Sequence, residues 1–168
     1  MQISNFVAYI GVFGPLVLSI VIIFNLVIIG TRWQQTLLLS IWQPLSIIIN
    51  SLLKKIINQD RPSNSKHINS FERTIDTGSK GMPSGHAQMV GSEVVFSYLA
   101  GANTLVQIIA IIQMLITLWQ RYTYRKHTIA QLLVGLIVGG IYSYIYWMIY
   151  AKFSREKKEE KNTSKSIH

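Results

Sequence analysis

The chain has 168 residues, 16 of them Lys or Arg and 7 Asp or Glu, so charged residues make up 14% against roughly 25% in an average soluble protein. The formal charge of +9 is clumped at 54–80 and 152–168 and flanks long apolar runs. That is not the basic stripe of a folded nucleic-acid-binding face, and it points instead to membrane headgroups or a phosphorylated ligand. Cysteine is absent, which excludes disulfides, thiolate metal sites and cysteine nucleophiles.

Residues 6–29 are uncharged and apolar. As a helix they reach about 36 Å, enough to cross a hydrocarbon core of about 30 Å. The run is too long, and its start too free of basic residues, for a cleaved signal peptide. A second span, 35–53, contains Gln43, Pro44 and Asn50 and stops at Lys54-Lys55. The segment 54–85 is the most polar internal stretch and holds most of the turn formers, so it reads as a long extramembrane loop, a length that usually carries function. Span 86–102 contains Gln88, Ser92 and Glu93 and is expected to face protein rather than lipid. Span 105–119 is strongly apolar. Span 129–151 ends in Tyr142, Tyr144, Tyr146, Trp147 and Tyr150, suited to an interfacial belt. The basic tail 152–168 lacks apolar periodicity and is expected to be solvated and disordered.

The expected fold is therefore an all-α integral membrane protein, a bundle of about five transmembrane helices with the active site at one membrane face and a single membrane-embedded domain over 1–151. Five spans place 54–85 and 120–128 on the same side. Basic residues nearly balance across the two sides, so the positive-inside rule does not fix the orientation.

The two same-side segments hold three groups: Lys54 with Arg61-Pro62; Gly81-Met82-Pro83-Ser84-Gly85-His86; and Arg121 with His127 and Gln131. Alone, each has an ordinary reading: a membrane-proximal basic cluster, a helix N-cap, or side chains snorkelling to headgroups. Together, two His and three spaced cations on one membrane face match the needs of phosphoryl transfer from a lipid phosphate. Cations neutralise the equatorial oxygens, one imidazole attacks phosphorus, and the other protonates the leaving oxygen. Glu93 lies two helical turns beyond His86, near the same face. An intramembrane carboxylate is a functional candidate, either orienting His86 or pairing with a cation, with a purely structural interhelical role as the alternative. His67 and Glu72 have no motif around them and read as solvated surface.

The order K-x6-R-P, P-S-G-H and R-x5-H resembles the type 2 phosphatidic acid phosphatase superfamily over 54–131. The strings KKIINQDRP, GMPSGHAQ and HTIAQLLVG are most similar to dolichyl-diphosphatase. The resemblance implies that Lys54, Arg61 and Arg121, with the Ser84 hydroxyl and the Gly85 amide, hold the phosphate oxygens. It implies that His127 is the nucleophile and that His86 is the general acid and then the base for water. No metal or other cofactor is implied, since Lys and Arg supply the charge that metal ions supply in kinases.

Two positions depart from the broad superfamily pattern: Gln120 where Ser precedes the Arg, and Gln131 where Asp follows the nucleophilic His. Gln131 shares a helix face with His127 and can accept a hydrogen bond from its ring, but offers no negative charge. In the serine-protease template, neutralising the equivalent Asp costs about 10⁴ in rate. The dolichyl-diphosphatase-like H-T-x-x-Q pattern carries the same Gln, which implies a subfamily feature with activity retained. The implied partners are membrane lipid and an isoprenoid diphosphate or other lipid phosphate, with no nucleic acid. The implied location is the endoplasmic reticulum with a luminal site, or the plasma membrane with an external site in a prokaryote. Phosphatidate, undecaprenyl diphosphate and a weakened, lipid-binding role stand as alternatives. The sequence leaves the oligomeric state open.

Overall fold

The computed structural model describes residues 3–29, 33–76 and 80–166, and among these it contains helices and turns without a strand. In chain order they are α1 (Ile3–Phe24), extended by a π-helical turn over Asn25–Ile29, α2 (Trp33–Ile57), α3 (Ser70–Asp76), α4 (Gly85–Leu99), α5 (Thr104–Thr123) and α6 (Ile129–Ser166). Five long helices form the expected bundle, and α3 is a short helix within the polar loop.

Polarity in the bundle is inverted relative to a water-soluble protein. Leu16, Ile20 and Phe24 of α1, Ile47 of α2 and Ile137 and Ile141 of α6 point outward and are more than half exposed, while Ser92, Gln113, Thr117 and Ser143 are buried. In water such an apolar exterior would be costly. In lipid that cost vanishes, and small residues with interhelical hydrogen bonds hold the helices together. Gln113 Nε2 donates to the Ile10 carbonyl across α1 and α5 at 2.9 Å, and the Ser92 and Ser143 hydroxyls lie 2.6 Å apart across α4 and α6. Trp42 of α2 stacks on Tyr142 and Tyr146 of α6, with ring centroids 3.7 and 3.6 Å away.

Among the described residues, three stretches are long and apolar enough to cross a membrane: Phe6–Ile28, Thr104–Thr123 and Ile129–Arg155. The span expected over 35–53 lies within α2, a helix of 25 residues whose charged residues, Lys54 and Lys55, fall in its last turn, whereas the span expected over 86–102 falls short. The helix α4 has only 15 residues, about 22 Å, and its buried side chains place it inside the bundle, as Gln88, Ser92 and Glu93 foretold.

Three boundaries differ from the sequence reading. Lys54 and Lys55 lie in the last turn of α2 rather than in the loop. That helix stops at Asn58, whose φ of 50° is left-handed and whose N–H returns to the Lys54 carbonyl at 3.0 Å, a common helix ending. The loop is not wholly irregular, because Asn69 Oδ1 accepts from the Glu72 N–H at 2.8 Å and so caps α3. Finally, α6 continues to Ser166 where a disordered tail was expected. Lys, Arg and Glu are good helix formers, and extending an existing helix avoids the cost of nucleation.

The cluster of buried apolar residues, including Leu18, Ile22, Leu26, Phe96, Ala100 and Val106, occupies the end of the bundle where α1 finishes and α5 begins. The opposite end gathers the C-termini of α2 and α5 and the N-termini of α4 and α6. At that end α4 and α6 come unusually close: a Cβ on Gly135 would fall 2.6 Å from the Ser84 carbonyl oxygen, and one on Gly91 2.8 Å from that of Leu136. A methyl on Gly139 would overlap the Gln88 carbonyl oxygen, whereas one on Gly140 would meet Val95 at an ordinary 3.5 Å. Gly139→Ala is therefore expected to destabilise the protein by about 1–3 kcal/mol and Gly140→Ala to leave it near wild type, read as thermal unfolding in detergent.

Candidate active site

The first group is built on the end of α2 and the turn after it. The Lys54 ammonium, in the last turn of α2, donates to the carbonyl of Lys80, tying the helix to the returning loop. Gly81 N–H donates to the Gln59 carbonyl at 2.7 Å, which holds the two ends of the loop together. Arg61 follows, half-buried, with its Nη1 3.5 Å from His127 Nε2.

The second group is the N-terminus of α4, preceded by a cis Met82–Pro83 bond. Ser84 caps the helix, its hydroxyl accepting from the Ala87 N–H at 3.4 Å, and its own N–H donates to the Gln131 carbonyl at 3.1 Å. Asn50 of α2 donates to Gln88 Oε1 at 2.7 Å, and Gln88 donates to the Ser46 carbonyl at 2.9 Å, so α2 is latched to α4 beside the motif.

The third group depends on the α5–α6 turn. Arg125 takes a left-handed φ of 51°, and the Lys126 N–H returns to the Arg121 carbonyl at 2.9 Å. This sharp reversal folds Lys126 and His127 inward, leaving them 0% and 2% exposed. Gln131, in the first turn of α6, accepts from His127 Nδ1 at 3.2 Å and from the Thr128 N–H at 3.2 Å. Its amide nitrogen donates to Gln59 Oε1 at 3.0 Å and to the Asp60 carbonyl at 2.9 Å. With both amide ends spoken for, Gln131 holds the proton on Nδ1 and leaves the Nε2 lone pair pointing toward Arg61.

Lys54, Arg61 and Arg121 all act electrostatically on His127, so the structure brings the three expected cations around one imidazole. The two histidines open differently. His127 lines a cleft of about 740 Å³ shared with Pro62, Ser63 and Arg125. His86 lines a largely apolar cavity of about 480 Å³ between α1, α2 and α4, with Phe13, Leu16, Ile47 and Glu72 on its walls. Gly85 borders the same cavity as His86. Glu93 is fully buried and accepts a hydrogen bond from Ser19 of α1. It therefore serves the α1–α4 contact, about 10 Å up the helix from His86.

Glu72 corrects the sequence reading. It is 4% exposed rather than solvated, with Oε1 2.7 Å from Arg121 Nη1 and Oε2 3.4 Å from Lys126 Nζ. A buried Arg or Lys needs a counter-charge, and α3 delivers one. Sequence reasoning missed both Glu72 and Lys126. Asn69-x-x-Glu72 is a helix-start spacing that could have located α3, but nothing local marks its burial. His67 is half-buried, again not solvated surface.

Burial, and then the charges of Arg61, Arg121 and Lys54, push the His127 pKa down from 6.5 to about 2, against the raising effect of its bond to Gln131. Cation and burial both disfavour the imidazolium, so the imidazole is a neutral, nucleophilic base at physiological pH. The linkage sign follows: as pH falls below 6.5 the unfolded chain takes up this proton and the folded chain does not, so this residue's share of stability declines toward acid. In ¹⁵N-histidine spectra of the ligand-free protein, the His127 ring is expected to show no titration between about pH 5 and 8. A midpoint near 6.5 would contradict this environment.

The PAP2 superfamily model matches residues 35–155 and so covers all three groups. The fold is similar to that in the crystal structure of the first transmembrane PAP2 type phosphatidylglycerolphosphate phosphatase from Bacillus subtilis. The TM-score is 0.64 at 18% identity, over 90% of this chain and 79% of that one. No curated protein sequence gives a match. With four helix termini and a folded loop gathered at one end, and a family model spanning most of the bundle, the chain belongs to the PAP2 superfamily of membrane phosphatases acting on lipid phosphates.

Proposed function

We propose that this phosphatase hydrolyses a polyprenyl, dolichyl-type diphosphate to the lipid monophosphate and inorganic phosphate, through a phosphohistidine on His127 and without a metal ion. The observation that carries the reading is the placement of Gln131, whose oxygen accepts from Nδ1 of His127 while its nitrogen is bonded to the 59–60 backbone and side chain. Such a residue fixes the tautomer and aim of a nucleophilic imidazole. Nε2 attacks the terminal phosphorus, an N–P bond forms, and the P–O bond to the lipid phosphate breaks. The leaving oxygen takes a proton from His86. Water then attacks the phosphohistidine, His86 accepts its proton, and the N–P bond breaks to release phosphate.

Lys54, Arg61 and Arg121 neutralise the transferring phosphoryl group, supplying the charge stabilisation that phosphoryl transfer demands. The Ser84 hydroxyl and the Gly85 amide add donors at a helix N-terminus, where anions bind well. The apolar cavity beside His86 suits the first units of a hydrocarbon tail. In this reading the membrane-embedded domain is 1–151, the site faces the endoplasmic reticulum lumen or, in a prokaryote, the exterior, and the substrate arrives from the bilayer.

Support for the dolichyl-type assignment is the fit of Gln131. An acidic residue would have no donor for the Gln59 and Asp60 oxygens, so Gln131→Glu and Gln131→Asp are expected to lower kcat by about ten- to a hundred-fold instead of raising it. A gain from Gln131→Asp would instead mark the natural Gln as a weakened site. Purified protein with EDTA is expected to release phosphate from dolichyl diphosphate faster than from undecaprenyl diphosphate, phosphatidate or phosphatidylglycerolphosphate. His127→Ala should lower that rate by roughly 10⁴-fold or more. Preference for a glycerophospholipid would defeat the dolichyl assignment, and no turnover of any lipid would defeat catalysis.

A further inference from the structure

We infer that Glu72 is a positioning residue for the third motif: from the short helix α3 it holds the Arg121 guanidinium in place and cancels the neighbouring Lys126, so that Arg121 is presented ready-made to substrate phosphate. The inference rests on the proposed phosphatase reading of the site and adds to it a residue outside the three motifs.

Four observations carry it. The Arg121, Lys126 and Glu72 side chains are 1%, 0% and 5% exposed, so the three charges share one dry compartment. Two cations there without an anion would repel each other and lack solvation. Glu72 is itself fixed at both ends: its Oε2 accepts from the Ile68 N–H at 2.9 Å, and its own N–H donates to Asn69 Oδ1 at 2.8 Å. A carboxylate locked to its backbone in this way sets where Arg121 Nη1, 2.7 Å away, can sit. Glu72 also forms part of the wall of the cavity that holds Gly85 and His86, so it stands between that cavity and Arg121. Arg121 in turn is one of the charges acting on His127, which completes a line from α3 to the nucleophile.

The loop thereby gains a task. Its two ends are tied to α2 and to Gln131, while α3 at its middle carries the anion to the end of α5. Gln131 gives the site no negative charge, and Glu72 provides one on the cation side instead of beside the imidazole. The expected consequence is selective: loosening Glu72 disorders Arg121 and weakens the grip on phosphate.

The test uses full-length protein in detergent and compares wild type, Glu72→Gln, Glu72→Asp, Arg121→Ala and the double variant Glu72→Gln/Arg121→Ala. Orthovanadate affinity is measured calorimetrically alongside kcat and KM for lipid diphosphate. Glu72→Gln is expected to weaken vanadate binding and raise KM by about ten-fold, and in the Arg121→Ala background the same change should add less than about two-fold, because its effect runs through Arg121. Glu72→Asp keeps the negative charge in the compartment but draws the carboxylate back from Arg121, so it should weaken vanadate binding by several-fold with a smaller loss of thermal stability than Glu72→Gln. Wild-type vanadate affinity in both Glu72 variants, or full additivity in the double variant, would overturn the inference. Failure of the wild type to turn over any lipid while vanadate still reports the Glu72 effect would instead count against the phosphatase reading alone.

Discussion

The side chain and backbone of Gln131 form the junction on which the site depends. Its carbonyl accepts from Ser84 of the second motif, its amide oxygen from His127 and Thr128 of the third, and its amide nitrogen donates to Gln59 and Asp60 beside the first. A Cβ on Gly81 would strike this amide, so a side chain there would push Gln131 off its partners. One residue, 1% exposed, therefore sets the register of segments separated by about seventy residues of chain. In a buried polar network each member is costly to leave unpaired, which makes the arrangement specific as well as stable.

Around that junction the bundle solves an electrostatic problem. Lys54, Arg61, Arg121 and Lys126 crowd one end of a membrane protein, and burial of cations is unfavourable unless they are paired or poised for an anionic ligand. The Glu72 carboxylate compensates Arg121 and Lys126, while burial, aided by the remaining positive potential, keeps His127 neutral. The same charges that add to the burial effect on the imidazole would attract the phosphate of a lipid headgroup.

Much of this was legible in the sequence, because the information was local. The i, i+4 spacing of His127 and Gln131 predicts the bond that the structure holds at 3.2 Å, and the polar residues in 86–102 predict a helix that faces protein. What escaped was set by distant partners. Glu72 sits in a polar, turn-rich segment, and only the fold of α3 against α5 buries it. Lys126 is drawn inward by the left-handed Arg125, a conformation that side-chain type does not announce. Glu93 was legible as a buried carboxylate, but its partner, Ser19 on α1, lies 74 residues away and has no motif. The tail carries no apolar pattern, so its helix came from propensity and from continuity with α6, which a reading by hydrophobic period cannot see.

The central claim is that His127 becomes phosphorylated. Rapid quenching of the purified protein during turnover of a lipid diphosphate labelled at its terminal phosphate tests it most directly, with the label mapped by mass spectrometry after digestion at alkaline pH. The expected result is an acid-labile, base-stable phosphate on the peptide containing His127, absent from His127→Ala. Turnover without a labelled protein, or a label on any other residue, would contradict the account.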